Sequence, residues 1–93
     1  MGRYRVITLP RADKDIEDYK KSGNKIALSR IERIFVELEL HPQIGIGKPE
    51  MLKHDYSGFW SREINKKNRI IYEIKETEVI VKVISAKGHY GDK

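Results

Sequence analysis

The sequence predicts an α+β domain in which an N-terminal strand precedes a helical hairpin, and the hairpin packs on an antiparallel β-sheet. Three observations predict it. Two neighbouring stretches, residues 10–21 and 25–40, carry apolar side chains at helical spacing and are parted only by Ser22-Gly23-Asn24. Three later stretches, residues 59–64, 69–74 and 79–85, are short, rich in β-branched and aromatic residues, and joined by polar tetrads. One further short apolar run, residues 3–9, stands ahead of the helices. Helices grouped together rather than alternating with strands give an α+β architecture.

The first run places Tyr4, Val6, Ile7 and Leu9 in a strand stopped by Pro10, a residue that also suits the first turn of a helix. Ala12, Ile16 and Tyr19 then recur at i, i+4 and i+7. Asp13 and Asp15 come early and Lys20 and Lys21 late, which complements the helix dipole. In the second helix Leu28, Ile31, Phe35 and Leu38 form a stripe with Ile34 beside it, and His41-Pro42 ends it. Residues 42–58 hold three Gly and two Pro with little periodicity and read as a long loop, a kind that is usually functional in so compact a chain. Asn65-Lys66-Lys67-Asn68 and Lys75-Glu76-Thr77-Glu78 are hairpin turns between the last strands. Those strands are apolar at both parities. One face covers the helices, and the other keeps apolar surface suited to a protein partner or a cleft wall.

A chain of 93 residues makes one domain, spanning residues 1–93, whose modest core a partner would help to stabilise. With no cysteine, neither a disulfide nor a thiolate metal site is expected. No run approaches the roughly 20 apolar residues of a membrane span, and the N-terminus lacks the apolar segment of a signal peptide, so the expected location is the cytoplasm. A formal charge of +5 favours polyanionic partners, nucleic acid first.

The polar candidates gather in the second half. Lys48, Glu50, Lys53 and His54 lie in the long loop, Arg62 in the strand after it, Arg69 at the start of the next, and His89-Tyr90 after the last. Antiparallel pairing brings the start of one strand beside the end of the next, so these groups can converge at one sheet end. Such a set suits RNA cleavage by transesterification. The substrate's own 2′-hydroxyl is the nucleophile, and the enzyme supplies a base, a cation for the crowded phosphate and an acid for the leaving oxygen. Taken singly, each residue has an ordinary explanation: Glu50 as a solvated acid, Lys48, Lys53 and Arg69 as surface charge, His89 as an exposed neighbour of the terminus, Trp60 as a core anchor. The three histidines have no metal-ligand spacing, so neither a metal nor another cofactor is expected.

In combination, Gly47-Lys48-Pro49-Glu50-Met51-Leu52-Lys53-His54, Ser57-Gly58-Phe59-Trp60-Ser61-Arg62, Asn68-Arg69-Ile70-Ile71-Tyr72 and His89-Tyr90 resemble the YoeB/Txe toxins of the RelE superfamily over residues 45–90. The ordered set is specific, whereas no single piece is. The resemblance implies a RelE-like fold and a type II toxin that cuts mRNA in the ribosomal A site without metal, leaving a 2′,3′-cyclic phosphate and a 5′-hydroxyl. It implies Glu50 as general base, His89 as general acid and Arg69 as phosphate stabiliser. Tyr90 and Lys53 would orient the RNA, with Lys48, His54 and Arg62 as further RNA-binding residues. The implied partners are mRNA on the ribosome and a YefM/Axe-type antitoxin; a homodimer is a further option.

Three positions depart from the family pattern. Glu63 follows Arg62 where a second arginine is common, which replaces a cation by an anion and weakens phosphate binding. Asn68 stands where histidine is common, and the chain continues through Gly91-Asp92-Lys93 after the His-Tyr pair, so no terminal carboxylate is expected at Tyr90. Two other functions suit the same composition. A non-catalytic toxin of ParE type would bind DNA gyrase and need no acid–base set. A basic RNA-binding module would need an exposed aromatic series for stacking, which the sequence does not offer.

Overall fold

The structure is a computed structural model that describes residues 3–53 and 58–88. Chain order is β1 (Arg5–Thr8), α1 (Pro10–Lys21), α2 (Lys25–Leu40), β2 (Glu50–Met51), β3 (Phe59–Glu63), β4 (Arg69–Lys75) and β5 (Ile80–Ser85). The sheet runs β1-β5-β4-β3-β2, with the helical hairpin on one face.

The α+β expectation holds, and the antiparallel pairing needs one correction, at β1. β2, β3, β4 and β5 are antiparallel to their neighbours, but β1 runs parallel to β5, so the sheet is mixed. Periodicity carries the face a side chain takes; it does not carry the direction in which two strands distant in sequence meet. β2 was also hidden, because two residues are too few for an alternating pattern. The first strand is shorter than expected, since Arg3 and Tyr4 both donate their N–H groups to the Glu39 carbonyl instead of to the sheet. Val79 does not open β5. It is exposed, adopts φ +57° and donates to the Glu76 carbonyl within the turn.

Pro10 starts α1 after Leu9, where its missing N–H costs nothing. Asn24 caps α2 by accepting from the Ala27 N–H at 3.1 Å. The fully buried stripe of α2 is Ala27, Ile31, Ile34 and Leu38, with Leu28 and Phe35 half-buried at its flank. These meet Ala12 and Tyr19 of α1 and Ile70, Tyr72, Val81 and Val83 of the sheet. Burying one such side chain contributes about 1.5–3 kcal/mol, so the interface between the hairpin and the sheet dominates the fold. No helix among the described residues is long and apolar enough to cross a membrane.

Strand register sorts the sheet's side chains. Trp60, Arg62, Ile70 and Tyr72 are cross-strand partners on the helix side. Ser61, Glu63, Arg69 and Ile71 pair on the opposite, open side. That face is mixed. Ile7, Phe59 and Ile80 share it with Arg5, Glu73, Lys75 and Lys82, while Ile71 is fully buried.

Candidate active site

The loop that delivers Glu50 is built on a buried arginine. Arg62 is fully buried between β3 and the segment after α2. Its Nε donates to the Tyr72 hydroxyl at 3.1 Å and Nη1 to Glu37 Oε1 at 2.6 Å. Its Nη2 donates to the carbonyls of His41 at 3.1 Å and Ile44 at 2.8 Å, and Nη1 also reaches the Ile46 carbonyl at 3.3 Å. Tyr72 donates in turn to the Pro42 carbonyl at 2.7 Å, and Glu37 accepts the Ile46 N–H at 2.9 Å. Burial works against the charge on Glu37, but the Ile46 N–H and the Arg62 guanidinium outweigh it and hold its pKa below the usual carboxylate range. Burial pushes the Tyr72 hydroxyl up, with Arg62 partly offsetting it.

Arg62 is therefore not available to RNA, contrary to the expectation from sequence. Strand alternation places it on the helix side, where a guanidinium with several donors can satisfy a cluster of loop carbonyls. Lysine, with one nitrogen, could not span them. Two glycines let the loop come this close. A Cβ at Gly45 (φ +131°) would collide with the Glu37 carboxylate, and one at Gly47 (φ +82°) would lie 2.8 Å from the Glu63 carbonyl. The Gly47 carbonyl accepts from Glu63 N–H at 2.6 Å, which docks the loop on β3 just before Lys48 turns it with φ +50°.

From that anchor Glu50 enters β2 directly opposite Ser61, exposed on the open face. Arg69, on the same face, donates from Nη1 to Ser61 Oγ at 3.1 Å. One serine thus stands between the candidate base and the candidate phosphate ligand, and it fixes the direction of the guanidinium. Glu63 is the cross-strand partner of Arg69. Lys48 and Lys53 are exposed on either side of β2. His54, His89 and Tyr90 lie outside the described residues. Among the described residues, no three His, Asp or Glu side chains are grouped as a metal site.

The chain leading to His89 is held at several points. Ala86 N–H donates to Asp15 Oδ2 at 2.9 Å, and the Ala86 carbonyl accepts from the Tyr19 hydroxyl at 2.8 Å. Lys87 pairs with Asp18 at 2.8 Å, an interaction that holds the Asp18 carboxyl below its ordinary pKa. Burial, then the Asp15 charge, pushes the Tyr19 hydroxyl up to about 12, so it remains a donor. The Gly88 carbonyl accepts the Arg69 N–H at 3.0 Å. The last described residue before His89 is thereby fixed beside Arg69. Sequence reasoning had given Asp15 only a helix-dipole role. Its place three residues after Ala12 and one before Ile16, on the apolar stripe, was the available sign of a buried acid with a partner.

A family model for YoeB-like toxins of bacterial type II toxin-antitoxin systems matches residues 10–90. The chain belongs to that family. Toxin YoeB of Mycobacterium bovis is 41% identical over 81 residues, covering 87% of this chain and 92% of the relative. The fold is similar to a YoeB/ParE toxin from Agrobacterium tumefaciens, with TM-score 0.85 and 27% identity over 92% of this chain and 99% of that one. Staphylococcus aureus YoeB is also similar, both as a dimer (TM-score 0.81, 29% identity) and in a YoeB-YefM complex (TM-score 0.79, 30% identity); each comparison covers 95% of this chain and 99% of that one. This YoeB-family toxin thus has the two helices on a sheet that the RelE-like expectation required.

Proposed function

We propose that this toxin is a ribosome-dependent, metal-independent endoribonuclease that cuts mRNA in the ribosomal A site. The observation that carries the reading is the open face, where Glu50 and Arg69 flank Ser61 and the chain toward His89 is pinned to the Arg69 backbone. Glu50 takes the proton of the 2′-hydroxyl. The 2′-oxygen then bonds to phosphorus, and the bond from phosphorus to the 5′-oxygen breaks. Arg69 donates to the phosphate oxygens, where a planar fork is better suited than a point charge. His89 returns a proton to the leaving 5′-oxygen, and the products are a 2′,3′-cyclic phosphate and a 5′-hydroxyl. Tyr90, Lys53, Lys48 and His54 orient the RNA. The partners are mRNA on the ribosome and a YefM-type antitoxin, as in the staphylococcal complex; a second copy of the chain is also a candidate, since that relative forms a dimer.

The test is to add the purified protein to a translating extract and map mRNA 5′ ends. Codon-phased cuts are expected, and Glu50→Gln and His89→Gln each lower the rate by about 10²–10⁴, the usual contribution of one acid–base group. Intact mRNA with a loss of DNA supercoiling would instead mark a gyrase poison, and binding without cuts a plain RNA-binding module.

A further inference from the structure

Between β5 and His89 the chain leaves the regular ladder and is gripped by side chains. At Gly88 the grip is two-handed. Its carbonyl accepts the Arg69 backbone N–H at 3.0 Å, while its N–H donates to the side-chain carbonyl of Asn68 at 2.9 Å. The Asn68 amide supplies the acceptor that a neighbouring strand would have offered through its backbone. It is oriented for this. Asn68 Nδ2 and the Asn68 backbone N–H both donate to Asn65 Oδ1, at 3.1 and 2.9 Å, which turns Oδ1 toward Gly88. Gly88 has φ +83°, a conformation in which glycine is unrestrained by any Cβ, so its direction depends on the partners at its N–H and carbonyl.

We propose that Asn68 is a positioning residue of the ribonuclease site. Its side-chain carbonyl fixes the chain at Gly88, the residue bonded to the proposed acid His89. The same dipeptide also provides Arg69, whose guanidinium is directed by Ser61. Asn68-Arg69 therefore ties the phosphate ligand and the origin of the acid to one rigid strand end. A general acid must come within about 2.6–3.2 Å of its target, and a misplacement of about 1 Å can cost about 10²-fold in rate. The proposal rests on the reading of His89 as the acid.

The experiment compares Asn68→Ala, Asn68→Asp, His89→Gln and the Asn68→Ala/His89→Gln double variant in ribosome-programmed cleavage, with hydrogen exchange at the Gly88 amide and thermal melting alongside. Asn68→Ala should lower kcat about 10- to 100-fold, with KM and Tm near wild type and faster exchange at Gly88. Asn68→Asp keeps an acceptor oxygen for the Gly88 N–H but loses the Nδ2–H bond to Asn65 Oδ1, so it should recover only part of the rate. In the His89→Gln background Asn68→Ala should add no further loss, because its effect passes through the missing group. Losses that multiply, or a wild-type kcat in Asn68→Ala, overturn the positioning role. Unchanged Gly88 exchange in Asn68→Ala overturns the latch itself. A wild-type rate in His89→Gln overturns the acid assignment and with it the role given to Asn68, and the Gly88 exchange result distinguishes that failure from failure of the latch.

Discussion

Glu63 is the residue whose charge most directly opposes the proposed chemistry. Register sets it directly across from Arg69, on the face that carries Glu50 and Ser61. It is half-buried, so its field is neither fully screened nor fully felt. Unit charges about 4 Å apart interact by about 1 kcal/mol in water and about 4 kcal/mol at an effective dielectric near 20. A wet face lies nearer the lower figure, and about 1.4 kcal/mol is already tenfold in rate. Glu63→Arg is therefore expected to raise kcat/KM up to about tenfold at limiting ribosome concentration, with a steeper loss as salt rises. The same change turns an attractive cross-strand pair into a repulsive one, which costs about 0.2–1 kcal/mol of stability. Rates and melting curves at two salt concentrations decide the matter: equal kcat/KM with equal salt dependence would place Glu63 outside the field of the RNA.

Between elements, the Arg62 cluster joins α2, the loop that follows it, β3 and β4. Breaking a buried pair from one side costs about 3–5 kcal/mol, because the remaining groups lose their partner. Arg62→Met should lower the free energy of unfolding by that amount, measured by urea titration, and should release the loop that carries Glu50. The pH dependence has a definite sign. Glu37 has a folded pKa below its unfolded value, so its contribution is complete above the ordinary glutamate pKa of about 4.3 and is lost as pH falls through the lower folded value. Between about pH 5 and pH 3 the urea midpoint should fall more steeply in the wild type than in Glu37→Gln. Asp18, whose pKa is also lowered, is common to both proteins and cancels in the comparison. Equal slopes would remove Glu37 from the acid limb.

These two cases show what the sequence could carry. Local periodicity located both helices and, to within a residue or so, the three later strands, because side-chain spacing directly reports which face is buried. Alternation along β3 likewise separates Arg62 and Glu63 onto opposite faces. What it could not report was partnership across distance. The burial of Arg62 depends on Glu37 and on loop carbonyls contributed by residues 41–46, and the parallel pairing of β1 depends on β5, 75 positions later at Arg5↔Ile80. In the sequence Asn68 stands out only as a hairpin-turn residue and as a departure from a family pattern. Its bond to Gly88 spans 20 positions and leaves no periodic trace.

For the whole molecule, the question is what a small basic body does with an open sheet face. The chain carries +5, and the edge strand beside its candidate site offers apolar as well as charged contacts: Glu50 is exposed on the open face, and Met51, on the helix side of the same two-residue strand, is 57% exposed. A partner that blocks this edge must present acids and apolar side chains together, and this is the chemistry expected of the proposed antitoxin's blocking segment. Binding to the folded state alone stabilises it by mass action, about 2.7 kcal/mol at a concentration 100 times Kd. For a domain this small each kcal/mol shifts Tm by about 4–8 °C, so saturating antitoxin should raise Tm by about 10–20 °C. Cleavage should stop at the same stoichiometry. At about 1 M salt the Debye length falls to about 3 Å, so the charged part of the affinity should weaken while the apolar part persists. A Tm rise without inhibition would place the segment away from Glu50 and Arg69. No rise at saturation would remove the stabilising contact altogether.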